Sequence, residues 1–142
     1  MLGTLYNSDI LTLSSTLKNE ALDAPDGTAR KVSKLCGSWV EIDVKMEGAR
    51  VQDAALRVQA CALGQASAAI LKEQLIGASL DDLVAARDGL RVMLKENGAP
   101  PTGRFSRLAI LEGVRAYPAR HQSTMLAFVA AVEAVERALE AS

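Results

Sequence analysis

The sequence predicts an α+β fold, a small antiparallel sheet of about three strands early in the chain with several helices packed against it. Three observations carry that reading. Residues 39–46 alternate apolar and polar side chains, the period of a strand with one wetter face. A Glu47-Gly48 turn signal then leads into a second alternating segment over 53–60, so the two pair as antiparallel neighbours. After Ala60 the period becomes helical and remains so nearly to the C-terminus. With 142 residues, no internal repeat and no low-complexity tract, the expectation is one domain over 1–142.

Leu2, Leu5, Ile10, Leu13 and Leu17 fall on three-to-five spacing, which predicts an amphipathic helix interrupted or restarted at Asn7-Ser8-Asp9. Pro25 and the Asp26-Gly27 turn signal then mark a loop feeding a short strand near residues 29–34. In the long strand, Val40, Ile42, Val44 and Met46 share one side, and Trp39, Glu41, Asp43 and Lys45 the other. Leu63, Ala66, Ile70, Leu71 and Leu75 line one face of a helix that Gly77 stops. Ser79 followed by Asp82 opens the next helix, with Leu80, Leu83, Val84, Leu90 and Leu94 on its face, and Pro100-Pro101 close it. A shorter helix is predicted over Phe105–Val114, and a last one over about Ser123–Leu139. Met125, Phe128, Val129, Val132, Val135 and Leu139 form a core stripe on that last helix.

Sixteen basic residues interleave with seventeen acidic ones for a formal charge of -1, so no basic field for nucleic acid is expected. No segment reaches the ~18 uninterrupted apolar residues of a membrane span, and Asn7, Ser8 and Asp9 interrupt the place of a secretory core; a cytoplasmic protein without a membrane partner is expected. Two cysteines make at most one bridge, which fits a reducing compartment better than a disulfide framework. Gly48, Gly64, Gly77, Gly89 and Gly98 form no phosphate-cradling loop and read mainly as turn and helix-end positions. No G-x-S-x-G elbow is present and one histidine is the only conventional base, so no catalytic residue is assigned and an enzyme is not expected.

Candidate chemistry rests on Cys36, before the long strand, and Cys61, where the paired strand gives way to a helix. Antiparallel pairing brings those two ends to one edge of the sheet. Each thiol, taken alone, also fits a small buried hydrophobe. A thiol at a helix N-terminus has its thiolate favoured by the unpaired amides, as metal ligation or sulfur chemistry requires. A structural zinc site normally takes four ligands, and the chain offers two cysteines and His121, itself compatible with a helix-start or surface role. Arg30, Lys31 and Lys34 either offer a small positive patch to an acidic partner or form a solvated face.

At these residues the chain resembles the NifU/IscU/SufU-like iron-sulfur cluster assembly scaffold family, along nearly its whole length. The family's first cysteine stands in C-G-D before a strand; Cys36-Gly37-Ser38 takes that place, with serine for aspartate. The second opens C-x-x-x-x-A-S, matched by Cys61 through Ser67 within ACALGQASAA. The third commonly sits in H-C-S at the start of the last long helix, where this chain has His121-Gln122-Ser123. The resemblance implies a small sheet with packed helices, and a site at one end that holds iron, zinc or a nascent iron-sulfur cluster. It also implies docking to a cysteine desulfurase and cluster transfer to apo-protein clients. Carried over residue by residue, it makes Cys36, Cys61 and His121 the metal or cluster ligands, with Ser38 and Gln122 lining the site. Bridging across a homo-oligomer would gather four thiolates for a [2Fe-2S] cluster. The alternative is an adaptor or structural oligomer that kept the fold and binds no metal.

Overall fold

The computed structural model describes residues 7–141; the expected helical positions Leu2 and Leu5 lie outside them. Helix α1 covers Ser8–Ser14, capped by the Asn7 carboxamide oxygen, which accepts from the Ile10 amide at 3.0 Å. It buries Ile10 and Leu13, and it ends where Ser14, Ser15 and Thr16 turn their hydroxyls onto carbonyls three residues back.

The sheet has three antiparallel strands in the order β1 (Gly27–Val32), β2 (Trp39–Glu47), β3 (Arg50–Gln59). Trp39 pairs with Gln59, Ile42 with Leu56 and Val44 with Ala54, and a register shift falls between Lys45 and Met46. Val40, Ile42 and Val44 are buried on the helix-bearing face, as their alternation requires. The first strand starts at Gly27, before the position 29 start that the turn signal suggests. Gly27 is a close-approach residue here, since a β-carbon on it would stand 2.2 Å from the Ala134 carbonyl oxygen of the last helix. Asp26 instead anchors the neighbouring strand, its carboxylate accepting from the Met46 amide at 2.7 Å.

The opposite face of the sheet is drier than its polar side chains imply. Asp43 is 4% exposed, because segment 19–26 crosses that side of the sheet. The Arg57 guanidinium grips Asp43 with two hydrogen bonds of 3.1 and 2.8 Å and also donates to Glu41 and to the Glu20 carbonyl. The Leu22 amide and the Thr28 hydroxyl complete the Asp43 carboxylate.

Helices α2 (Ala62–Leu75) and α3 (Leu80–Lys95) follow, and every predicted core position of α2 is buried. Gly77 leaves the helical region at φ +92°, and a reciprocal capping box of Ser79 and Asp82 opens α3. Gly64 and Gly89 are not turn residues, as their scatter suggests, but lie inside α2 and α3.

Over Gly103–Ala116 the chain forms 3₁₀ turns, with Phe105 outside helical backbone, in place of the α-helix predicted for Phe105–Val114. The buried residues are Phe105, Leu108, Leu111 and Val114, spaced strictly by three. That spacing keeps one face inward at 3.0 residues per turn and drifts off it at 3.6. Helix α4 (His121–Ala141) starts at His121, ahead of the Ser123 suggested by the pattern, and packs on β1, β2, α2 and α3. Its inner face carries Met125, Phe128, Val132 and Val135 among alanines, and Phe128 meets Phe105 edge-on at 5.4 Å.

Candidate thiol site

Antiparallel pairing of β2 with β3 sets the site. Trp39 opens β2 opposite Gln59 at the close of β3, so the preceding loop with Cys36 and the following residue Cys61 share one end of the sheet. Gly37, at φ +73°, lets the 33–38 loop close on itself: its amide donates to the Ser33 carbonyl at 2.9 Å, and the Ser33 amide to the Ser38 carbonyl at 2.7 Å. Cys36 is left exposed at the tip.

Three serines hold the thiols. The Cys36 Sγ lies 3.0 Å from Ser38 Oγ and 3.5 Å from Ser33 Oγ, and both serines are buried. Cys61, half-buried at the N-cap position of α2, makes no capping bond and instead meets Ser123 Oγ at 3.4 Å. Ser33 Oγ donates to Gln122 Oε1 at 3.0 Å, so adjacent residues at the start of α4 reach toward the two cysteines, Gln122 through Ser33 and Ser123 directly. Gly64 makes this junction possible, because a β-carbon there would stand 3.0 Å from Ser123 Oγ and 2.8 Å from the Ala60 Cβ.

The Cys36 thiol titrates at about 7, below its ordinary 9.0. Hydrogen bonds from the Ser33 side chain and then the Ser38 side chain favour the thiolate, with smaller help from the Ser38 backbone and the Arg120 charge. Ser33 has a single hydroxyl proton. While the thiol is protonated that proton points to Gln122 Oε1; to stabilise the thiolate it turns to sulfur, and the Gln122 NH₂ can take over as the donor to Ser33.

Of the two positions that the motif adds, Ser38 touches the Cys36 sulfur and Gln122 reaches it through Ser33. His121 turns one ring nitrogen to backbone carbonyls. It is buried, with Nε2 3.1 Å from the Val114 carbonyl oxygen and 3.2 Å from that of Arg115. Among the described residues no three of His, Cys, Asp and Glu gather where they could hold a metal ion. One chain therefore offers two soft thiolate donors within a frame of hydroxyls and an amide, too few for a closed four-donor site. Ser33 lies inside ARKVSK and Ser123 ends the His121-Gln122-Ser123 match, but the sequence alone assigns neither to the site.

A three-stranded antiparallel sheet with helices packed on it and two free cysteines at one end of the sheet defines a small α+β protein. This chain belongs to the family of the NifU-like N terminal domain, whose model matches residues 6–136. The N-terminal NifU-like protein of Brucella abortus is 44% identical and superposes with a TM-score of 0.94, covering 98% of this chain and 97% of its own. The iron-sulfur cluster assembly scaffold protein IscU of Streptococcus pyogenes serotype M1 is 26% identical over 106 residues, 75% of this chain and 67% of that one. A putative iron-sulfur cluster assembly scaffold protein for the SUF system from Fervidobacterium islandicum AW-1 shares the fold, with a TM-score of 0.84 at 19% identity, over 92% of this chain and 96% of its own.

Proposed function

We propose that this chain works in iron-sulfur cluster assembly as a scaffold whose cargo is sulfur and iron, taken up on Cys36 and Cys61. A cysteine desulfurase supplies the sulfur and apo-proteins take the product. The observation that carries the reading is the placing of both thiols at one end of the sheet, with Ser33, Ser38 and Gln122 about Cys36 and Ser123 against Cys61. Membership of the scaffold family supports it. His121 spends Nε2 on the Val114 and Arg115 carbonyls, which leaves Nδ1 as its one nitrogen for cargo, so the two thiols are assigned as the main donors. Two thiolates are half of what a [2Fe-2S] cargo takes from thiolate ligands, and a second copy supplies the other pair.

Anaerobic reconstitution with iron and sulfide, followed by visible absorption, element analysis and solution mass, tests this. The expected product is a coloured dimer with one cluster per two chains, lost in Cys36→Ala and in Cys61→Ala. A colourless, iron-free and zinc-free product, or cluster retained by either variant, would refute it. The lack of a third strong donor among the described residues favours a second reading, an adaptor that binds the desulfurase without metal. Desulfurase binding by protein that stays metal-free after reconstitution would select that reading.

A further inference from the structure

Beside the thiol loop, a cavity of about 450 Å³ opens between the end of β1, α3 and α4. Its apolar lining includes Val32, Leu35, Met125 and Val129. Leu35 is 73% exposed and Val32 49%, two of four exposed large apolar side chains among the described residues, and both of them line this groove. Three further lining residues, Lys31, Arg91 and Lys95, are basic, and no carboxylate lines the groove. Lys31 pairs with Glu133 and Arg91 lies 3.7 Å from Glu96. Lys95, with nearby Lys34 and Arg120, has no ion-pair partner among the described residues. On a chain of formal charge -1, this is a locally positive apolar groove.

The groove also touches the thiol site. Leu35 precedes Cys36, and Gln122 lines the groove while it accepts from Ser33. An occupant seated on Leu35 would contact the residue that precedes Cys36 in the chain.

We infer that this groove docks a short acidic segment of a partner protein that carries one or two large apolar anchors. The anchors fill the floor and the carboxylates meet Lys95 and the rim. This goes beyond the cargo reading and does not depend on it, because the contact is with the surface and not with what Cys36 holds.

The test is selection of a displayed random seven-residue peptide library on the purified protein, with counter-selection on a Leu35→Ser/Lys95→Glu variant. Both residues are surface side chains, and circular dichroism checks that the variant folds. Recovered peptides should combine aspartate or glutamate with leucine, phenylalanine or isoleucine. By fluorescence anisotropy, binding should weaken at least tenfold in Lys95→Glu, at least fivefold in Leu35→Ser, and again when salt rises from 50 to 300 mM, the magnitude expected for a screened rim contact (~1 kcal/mol or more). Saturating peptide should slow iodoacetamide modification of Cys36. Cys36→Ala should still bind peptide, which separates failure here from failure of the cargo reading. Recovery of neutral or basic peptides, no enrichment over the counter-selected variant, or binding to anionic lipid vesicles without peptide binding overturns the inference.

Discussion

Removing the two hydroxyls around Cys36 should shift its ionisation and invert its reactivity across the pH scale. In a Cys61→Ala background Cys36 is the remaining thiol, since the chain has two cysteines. The Ser33→Ala/Ser38→Ala variant deletes the two largest influences that hold the thiol at about 7, and complete release would return it to 9.0. At pH 7 the thiolate fraction would then fall from about one-half to about one-hundredth, roughly 50-fold. Intrinsic nucleophilicity rises with basicity, by about eightfold over that interval, so the net loss in alkylation rate at pH 7 is roughly sixfold. Near pH 10, where both forms are about nine-tenths ionised or more, the variant should be the faster, by up to about eightfold. The Ser38 amide and Arg120 remain, so these figures are ceilings. Iodoacetamide rates between pH 5 and 10, followed by mass spectrometry on chelator-treated protein, give the curve. A variant whose midpoint stays near 7, or whose rates fall in proportion at every pH, would show that the serines do not set the thiolate.

Asp43→Asn should cost about 3 kcal/mol in urea unfolding, because it leaves the part-buried Arg57 without its bidentate partner; an effect below ~1 kcal/mol would contradict this. Arg57 and the Leu22 and Thr28 donors hold the Asp43 carboxyl below the usual range despite its burial. Its contribution should therefore be fully present above the usual carboxylate pKa and disappear as pH falls through the lowered folded value, a slope that the asparagine variant should lack in stability measured from pH 6 to 2. Gly27→Ala should destabilise by about 3 kcal/mol, read as a lowered thermal midpoint, since its β-carbon meets the Ala134 backbone. Ser79→Ala should remove the α3 capping box for about 1 kcal/mol, measured in the same way, with Cys36 reactivity unchanged.

The apolar periods of residues 39–46, 53–60 and 63–75, together with the Ser79 cap and the double proline, are enough to place β2, β3, α2 and α3. Those signals are local: which side chain faces inward, which amide needs a cap, where a ring forbids helix. That Cys36 and Cys61 lie at one end of the sheet is also legible, because an antiparallel pair joined by a short turn leaves its outer ends together. Packing between distant elements decided the rest. Asp26-Gly27 has the composition of a turn, yet Gly27 serves as the opening through which α4 comes down on β1. The strict threefold spacing of Phe105 to Val114 was present in the sequence, but helices and 3₁₀ turns share short stretches of it, and burial against α2 and α3 selects between them. Motif position alone put His121 beside the cysteines, while the direction of its ring depends on where the 114–115 carbonyls arrive. Sequence by itself therefore determined most of the elements, the family, and the placing of both cysteines at one end of the sheet. Only the tertiary structure decided that serines and Gln122 surround those thiols, because a hydrogen-bond partner 89 residues away is chosen by packing and not by local pattern.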